Sequence, residues 1–279
     1  MTNPYHIKSP AVIAFSGGRT SGYMLWHILD YYDGKLPDDI YVSFANTGKE
    51  MPETLDFIQE CSERWAVKVT WLEYDPDAEY QTKIVNHNSA SRNGEPFSNL
   101  NIKKNWVPHP LMRYCTEFLK VKRFATYMDK TLGYETWTNV TGIRFDEPRR
   151  WNKQKQRKAK WNTVMPLVYA DVTQRMVSDF WKAQPFDLQL KNINGTTPYG
   201  NCDLCFLKGA KTIQGIMRER PDLATWWINE EETKRGDKGC STFYDPKKRP
   251  SYRKLLNIVQ NQGDLFDDGV GSMDCMCTD

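Results

Sequence analysis

No stretch of this sequence reaches the roughly 18 consecutive apolar residues that a membrane-spanning helix needs, so no membrane span is expected. The opening residues, MTNPYHIKSP, lack the apolar core of a signal peptide, which points to the cytoplasm. Charge of one sign is not in excess. The 279 residues carry a formal net charge of +3, so electrostatics alone announces no partner. Histidine is scarce. The four residues His6, His27, His87 and His109 fall in no zinc-type spacing with cysteine. Neither GxxxxGK[ST] nor GxGxxG occurs, which removes two common nucleotide fingerprints. There are no internal repeats and no low-complexity segments. Cysteine is present but odd in number: Cys61, Cys115, Cys202, Cys205, Cys240, Cys275 and Cys277. An odd count in a chain of this length argues against a secreted disulfide framework and, in a reducing compartment, for metal or redox use of closely spaced pairs.

What is there is an ordinary globular composition, 39% hydrophobic and 26% charged, with an unusual ten tryptophans. The first 75 residues alternate strand and helix signals. Residues 11–15 read as a buried strand, 20–32 as an amphipathic helix, and 39–46 as a second strand. Residues 52–65 read as a helix with proline in its first turn, and 67–74 as a third strand. That order predicts an α/β fold, a doubly wound and mostly parallel sheet. Residues 76–113 read as a long polar loop of the kind that serves as a lid. Residues 114–131 read as helix and 136–143 as a fourth strand, followed by helix and loop. Three regions are expected: an α/β domain over 1–170, a helical C-terminal extension over 171–265, and a cysteine-containing tail over 266–279. Trp226 and Trp227 are expected to pack the C-terminal helices onto the sheet, and Cys61 to be a core residue.

Chemistry concentrates at a few places. The first strand stops at Ser16-Gly17-Gly18, followed by Arg19, Thr20 and Ser21 at a helix start. Glycines there allow positive φ and close approach, and successive amides with the helix dipole make a nest for anionic oxygens. The second strand ends in Asn46-Thr47-Gly48, so both turns fall at strand carboxyl ends, where such sheets bind ligands. Arg144 follows the fourth strand and is suited to bidentate oxyanion contact. Asp146 and Glu147 beside it could bind a metal or orient Arg144, but they read first as a loop salt bridge. From Arg149 to Lys160 the chain is strongly basic and flanked by Trp151 and Trp161. That pattern suits single-stranded nucleic acid, the mouth of a phosphate-rich site, or a solvated loop. Cys202-x-x-Cys205 can be a zinc half-site, a redox dithiol or an iron–sulfur half-site.

Five blocks occur in order: FSGGRTSGYML, FANTGKEMPETLDFI, RYCTEFLKVKRF, TGIRFDEPRR and MPLVYADVTQRMV. Together they resemble the 3′-phosphoadenosine 5′-phosphosulfate (PAPS) reductase family of the adenine-nucleotide alpha-hydrolase-like superfamily, whose pyrophosphate loop reads SGGxDS. The resemblance covers about residues 10–210. It implies an adenine nucleotide as substrate (PAPS, adenylyl sulfate or ATP). Ser16, Gly17, Gly18, Arg19, Thr20 and Ser21 would lie at its phosphate or sulfate end, and Asn46, Thr47, Gly48 and Glu50 beside the adenosine or its phosphates. Lys120 and Arg144 would contact anionic oxygens. Thr20 stands where the superfamily loop has Asp, which tilts the implied ligand from ATP towards an adenylyl sulfate-like end.

The resemblance also implies a [4Fe–4S] cluster, with zinc the lesser alternative. Cys115, Cys202 and Cys205 would be ligands, and the fourth would be Cys277, or else Cys275 or Cys240. The single cysteine of RYCT is similar to that of iron–sulfur relatives that transfer sulfur in DNA phosphorothioation. Cluster-free members instead carry a catalytic cysteine near the C-terminus. Cys275 or Cys277 would take that role, with Arg144 at the reacting group and a thioredoxin-like reductant as partner.

Overall fold

The computed structural model describes residues 3–235 and 241–261. Cys240, Cys275, Cys277 and the expected tail therefore lie outside the described residues. The core is a sheet in the order β4-β3-β2-β1-β5-β6. β1 (Ala11–Ala14), β2 (Ile40–Asn46), β3 (Val69–Tyr74), β5 (Thr138–Val140) and β6 (Asn162–Val164) run parallel, and β4 (Thr82–Val85) is antiparallel to β3. β1 is central, with Ala11 in register with Ile40 on one side and Thr138 on the other. All four of its side chains are buried, because helices cover both faces of a parallel sheet.

The doubly wound sheet expected from the sequence is present, with two strands that the sequence did not reveal. β4 falls inside the segment expected to be one long loop, which also holds α3 (Glu95–Lys104). An edge strand of four residues, with Lys83 and Ile84 exposed, shows no sustained alternation. β6, three residues long, follows the basic run and is equally short of pattern.

α1 (Arg19–Tyr31) and α2 (Pro52–Arg64) follow the sequence reading to within a residue or two at each end. Pro52 starts α2, with Glu53 in the first turn and Arg64 in the last, charges that suit the helix dipole. The next helix, α4, is π-wound at Thr116–Val121, α-helical at Lys122–Thr126 and π-wound again at Tyr127–Thr131. α5 (Pro148–Lys155), α6 (Pro166–Tyr169) and α7 (Gln174–Ala183) follow. α7 lies on α1: Trp181 donates through Nε1 to the Arg19 carbonyl at 2.7 Å and fills the space that a Cβ on Gly22 would need.

α8 (Ala210–Glu219), α9 (Ala224–Glu232) and α10 (Tyr252–Asn261) make the C-terminal part. Its apolar core is continuous with that of the sheet, from Ile7 to Leu255. Trp227 is fully buried against Phe97, Phe243 and Tyr252, and Trp226 donates to Ser98 at 3.0 Å. The two tryptophans thus fasten the C-terminal helices to α3 rather than to the sheet, a correction to the sequence reading. The tryptophan pair alone does not say which layer it meets.

A buried ion pair joins the two parts. Lys49 Nζ lies 2.9 Å from Asp203 Oδ2, and Asp203 Oδ1 accepts from Trp227 Nε1 at 2.7 Å and from the Leu204 amide at 2.6 Å. Asp203→Ala leaves the Lys49 charge buried without its partner. It is expected to destabilise the chain by roughly 3–5 kcal/mol, measured by urea denaturation.

Candidate functional site

β1 and β5 are neighbours, but the chain leaves β1 for β2 on its other side. Their carboxyl ends therefore form the topological switch point of the sheet. After β1 the backbone turns at Gly17 with φ +74°, where a Cβ would stand 2.6 Å from Thr54 Cγ2 and 2.7 Å from Ile58 Cδ1. Only glycine fits there. Gly18 is the extended N-cap residue of α1 and gives no side-chain cap, so the first amides of the helix have no side-chain acceptor. Ser21 folds back over the turn. Its Oγ donates to the Gly18 carbonyl at 2.9 Å and accepts from the Ser16 amide at 3.2 Å and the Ser16 hydroxyl at 3.0 Å.

After β5, Gly142 brings its backbone against Ser21, where a Cβ would lie 3.3 Å from Ser21 Cα. Arg144 follows. Its Nε donates to Asp146 Oδ1 at 2.8 Å and its Nη1 to Thr20 Oγ1 at 3.3 Å. Asp146 Oδ2 accepts from the first amide of α7 at 2.8 Å. Glu147 is buried, accepts from the Arg144 amide at 3.0 Å and pairs with Arg150. The loop salt bridge expected for Asp146 and Glu147 is present, and it aims both arginines at the turn.

Two cavities meet here. A narrow, mainly apolar slot is walled by Ala14, Phe44, Ala45, Phe124 and Ile143, with Lys120 and Thr141 on its lining. A polar cleft of about 170 Å³ runs over Ser16 to Ser21 and past Arg144 to Gln174, Thr196 and Asn201. Ser16, Ser21, Gly142 and Arg150 line both.

Arg19 also lines the cleft, yet its guanidinium is engaged by protein groups. It donates to both carboxylate oxygens of Asp187 at 2.8 Å, to Thr197 Oγ1 at 2.8 Å, and to the carbonyls of Leu188 at 2.5 Å and Leu190 at 3.1 Å. Asn46, Thr47, Gly48 and Glu50 line neither cavity. Asn46 Nδ2 donates to Glu73 at 2.6 Å, and its Oδ1 accepts from the Gly48 amide at 3.1 Å. Glu50 Oε2 accepts from the amide and hydroxyl of Thr47 at 2.9 and 2.8 Å, while Oε1 lies 3.8 Å from Lys120 Nζ. The turn is thus a scaffold that stands behind Lys120.

Cys202 is reached from the same turn. With the Thr47 proton given to Glu50, the Cys202 thiol donates to Thr47 Oγ1 at 3.5 Å. Burial first, and then the Glu50 charge, push the thiol up to about 12. Burial likewise raises the Cys115 thiol. Cys115 and Cys202 lie within electrostatic reach of each other, whereas Cys205 is within reach of buried Tyr252. Among the described residues, no three His, Cys, Asp or Glu side chains form a group that could hold a metal ion. The donor set of Cys115, Cys202 and Cys205 therefore does not by itself fit a cluster.

The basic run divides. Arg150 turns into the cavities, Lys160 pairs with Asp129 at 2.9 Å, and Lys155 lies over Trp151 at 4.6 Å. Trp161 stacks on Trp137 in the core, and Arg149, Lys153, Arg157 and Lys158 are exposed. The sequence reading did not single out Phe124, Thr141, Gly142 or Thr54 as site residues. All four stand inside the five sequence blocks, and for Thr141 and Gly142 the place at a strand end was the available signal.

The chain belongs to the phosphoadenosine phosphosulfate reductase domain family, whose model matches residues 10–188. It is 31% identical over 221 residues to the uncharacterized nin region protein ORF290 of Escherichia phage lambda, a match covering 76% of this chain and 71% of that one. Among solved structures it is similar to the U34-tRNA thiolase NcsA from Methanococcus maripaludis with its [4Fe–4S] cluster. That likeness has 11% identity and a TM-score of 0.40, and covers 96% of this chain and 79% of the other. The family binds adenine nucleotides, and among the described residues no helix is long and apolar enough to cross a membrane.

Gly17→Ala puts a methyl into Thr54 and Ile58 at a φ that L-residues avoid. The variant is expected to lose anion binding at the turn, measured by calorimetric titration, and to lose roughly 1–3 kcal/mol of stability.

Proposed function

We propose that the chain is a sulfonucleotide reductase-like enzyme of sulfur metabolism. The adenine base of its substrate enters the slot, and the anionic end lies on the turn at Ser16, Gly17, Gly18, Thr20 and Ser21. The observation that carries this is the junction of an apolar slot with an uncapped helix start at one strand end, bridged by Ser16, Ser21, Gly142 and Arg150. Apolar walls suit a base, and open amides with a dipole suit its phosphates. Arg144 supplies a guanidinium to the transferring group, Lys120 meets the nucleotide from the slot side, and Arg19 stiffens the turn from behind.

In this reading a thiolate of Cys275 or Cys277 attacks the sulfur of PAPS. The bond from sulfur to the bridging oxygen breaks, and the adenosine bisphosphate leaves with the electron pair. The product is a cysteine S-sulfonate, from which a thioredoxin-like dithiol releases sulfite while becoming a disulfide. No step passes through a metal. Iron and acid-labile sulfide analysis after anaerobic purification tests the cluster of the resemblance, and Cys202→Ser shows whether any iron found depends on that thiol.

Calorimetric titration with PAPS, adenylyl sulfate and ATP tests the nucleotide reading. The sulfonucleotides are expected to bind more tightly than ATP, with thioredoxin-dependent sulfite release that is abolished by replacing Cys275 and Cys277 together with serine. Absence of binding to all three nucleotides would overturn it. A second reading, ATP-dependent sulfur transfer to a nucleic acid, is favoured by one observation: exposed Arg149 and Lys153 lie on the helix that delivers Arg150 to the cavities. Preference for ATP, with salt-sensitive binding of single-stranded nucleic acid, would decide for it.

A further inference from the structure

The charges of the polar cleft are evenly matched. Three guanidinium groups line it, and each is paired with a carboxylate: Arg19 with Asp187, Arg144 with Asp146 and Arg150 with Glu147. Among the described residues, Glu147 is the only acidic residue on the lining. Both of its oxygens are taken, one by Arg150 and the other by the Arg144 amide. A divalent cation such as magnesium is held through carboxylate oxygens, and this lining offers it no open one. Thr20 touches the same set of charges. It is the second residue of α1, and its hydroxyl accepts from Arg144 Nη1 at 3.3 Å. It is thus a neutral acceptor for a charged donor. It also stands in the first turn of a helix that has no acidic residue there and no side-chain cap, although a carboxylate in that turn would favour the helix. α2, by contrast, carries Glu53 in its first turn. A carboxylate at position 20 would lie within reach of Arg144, make the cleft formally negative and put an acidic oxygen beside the amides of the turn.

We propose that Thr20 is a specificity-determining residue of this cleft. By accepting from Arg144 without adding charge, it keeps the cleft formally neutral and reserves the turn for an anion that arrives without a divalent cation. The ligand class that follows is a metal-free phosphate or sulfate ester, and not a magnesium chelate. This role rests on the reading above that the anionic end of the ligand lies on the turn. What it adds is the metal-free state of that ligand and the residue that sets it.

Calorimetric titration of the full chain with adenylyl sulfate and with inorganic pyrophosphate, each in EDTA and in excess magnesium, tests this role. Wild type is expected to bind both in EDTA, with no gain in affinity from magnesium. Thr20→Asp should melt at or above the wild-type temperature, because the new charge suits the helix dipole. In EDTA it should nevertheless bind both anions about tenfold or more weakly, the effect of a like charge beside them. Magnesium should return part of the pyrophosphate affinity to that variant. Thr20→Asn, neutral and close to Asp in size, should stay within about threefold of wild type. Wild-type binding that needs magnesium, or no binding of either anion, would overturn the role. So would a Thr20→Asp variant that keeps wild-type affinity in EDTA or gains nothing from magnesium, and so would an equal loss in Thr20→Asn, which would make shape and not charge the cause. Adenylyl sulfate binding that is indifferent to position 20 would overturn this role and leave the nucleotide reading standing. Pyrophosphate binding that Thr20→Asp weakens, with no binding of any adenine nucleotide, would sustain this role and overturn the nucleotide reading instead.

Discussion

The lack of room for a side chain at Gly17, beside Thr54 and Ile58 of α2, governs the rest of the site. With Thr54 and Ile58 occupying the volume of a side chain, position 17 has to be glycine, its backbone passes at positive φ, and α1 starts at once. Three consequences follow from that direction of travel. The helix begins without a side-chain cap, Ser21 folds back onto Ser16, and Arg19 points away from the strand end into the 187–197 arm. Each is a different residue responding to one backbone turn.

The charges are arranged with similar economy. Glu147 is shared between the Arg144 amide and the Arg150 guanidinium, and Asp146 between Arg144 and the amino end of α7. The two arginines are thereby held in place before any ligand arrives, each by a carboxylate that is itself anchored. An anion bound in the proposed way would meet oriented donors and would not have to order long side chains, which lowers the entropic cost of binding. The scaffold behind Lys120 works in the same way, since Thr47 bonds to Glu50 and Asn46 bonds to Glu73 and the Gly48 amide.

Much of this was legible in the sequence because it is local. The central strand is an unbroken apolar run, the glycine turn follows it directly, and Pro52 marks a helix start, so the fold class and the place of the glycine turn at a strand end could be read from neighbouring residues. Arg144 was legible from its place after a strand. What could not be read was long-range. Nothing near Arg19 reveals that its partners are Asp187, Leu188, Leu190 and Thr197. Nothing near Thr54 reveals that it abuts Gly17. Asn46, Lys49 and Glu50 carry ligand-type side chains, and only the fold shows that they meet Glu73, Asp203 and Lys120. β4 and β6 escaped because three or four edge residues carry too little periodicity to register.

Arg19 reaches 168 residues along the chain to Asp187 and further still to Thr197. The anion turn is therefore not a self-contained strand–turn–helix unit. Arg19 is gripped by an arm that from Leu188 onwards lies at or beyond the boundary of the family match. Contacts of such sequence separation carry a large loop-closure entropy. The turn after β1 and the 187–197 segment that fixes Arg19 lie far apart in the chain, so the geometry of the turn depends on a distant part of the fold and not on its neighbours alone.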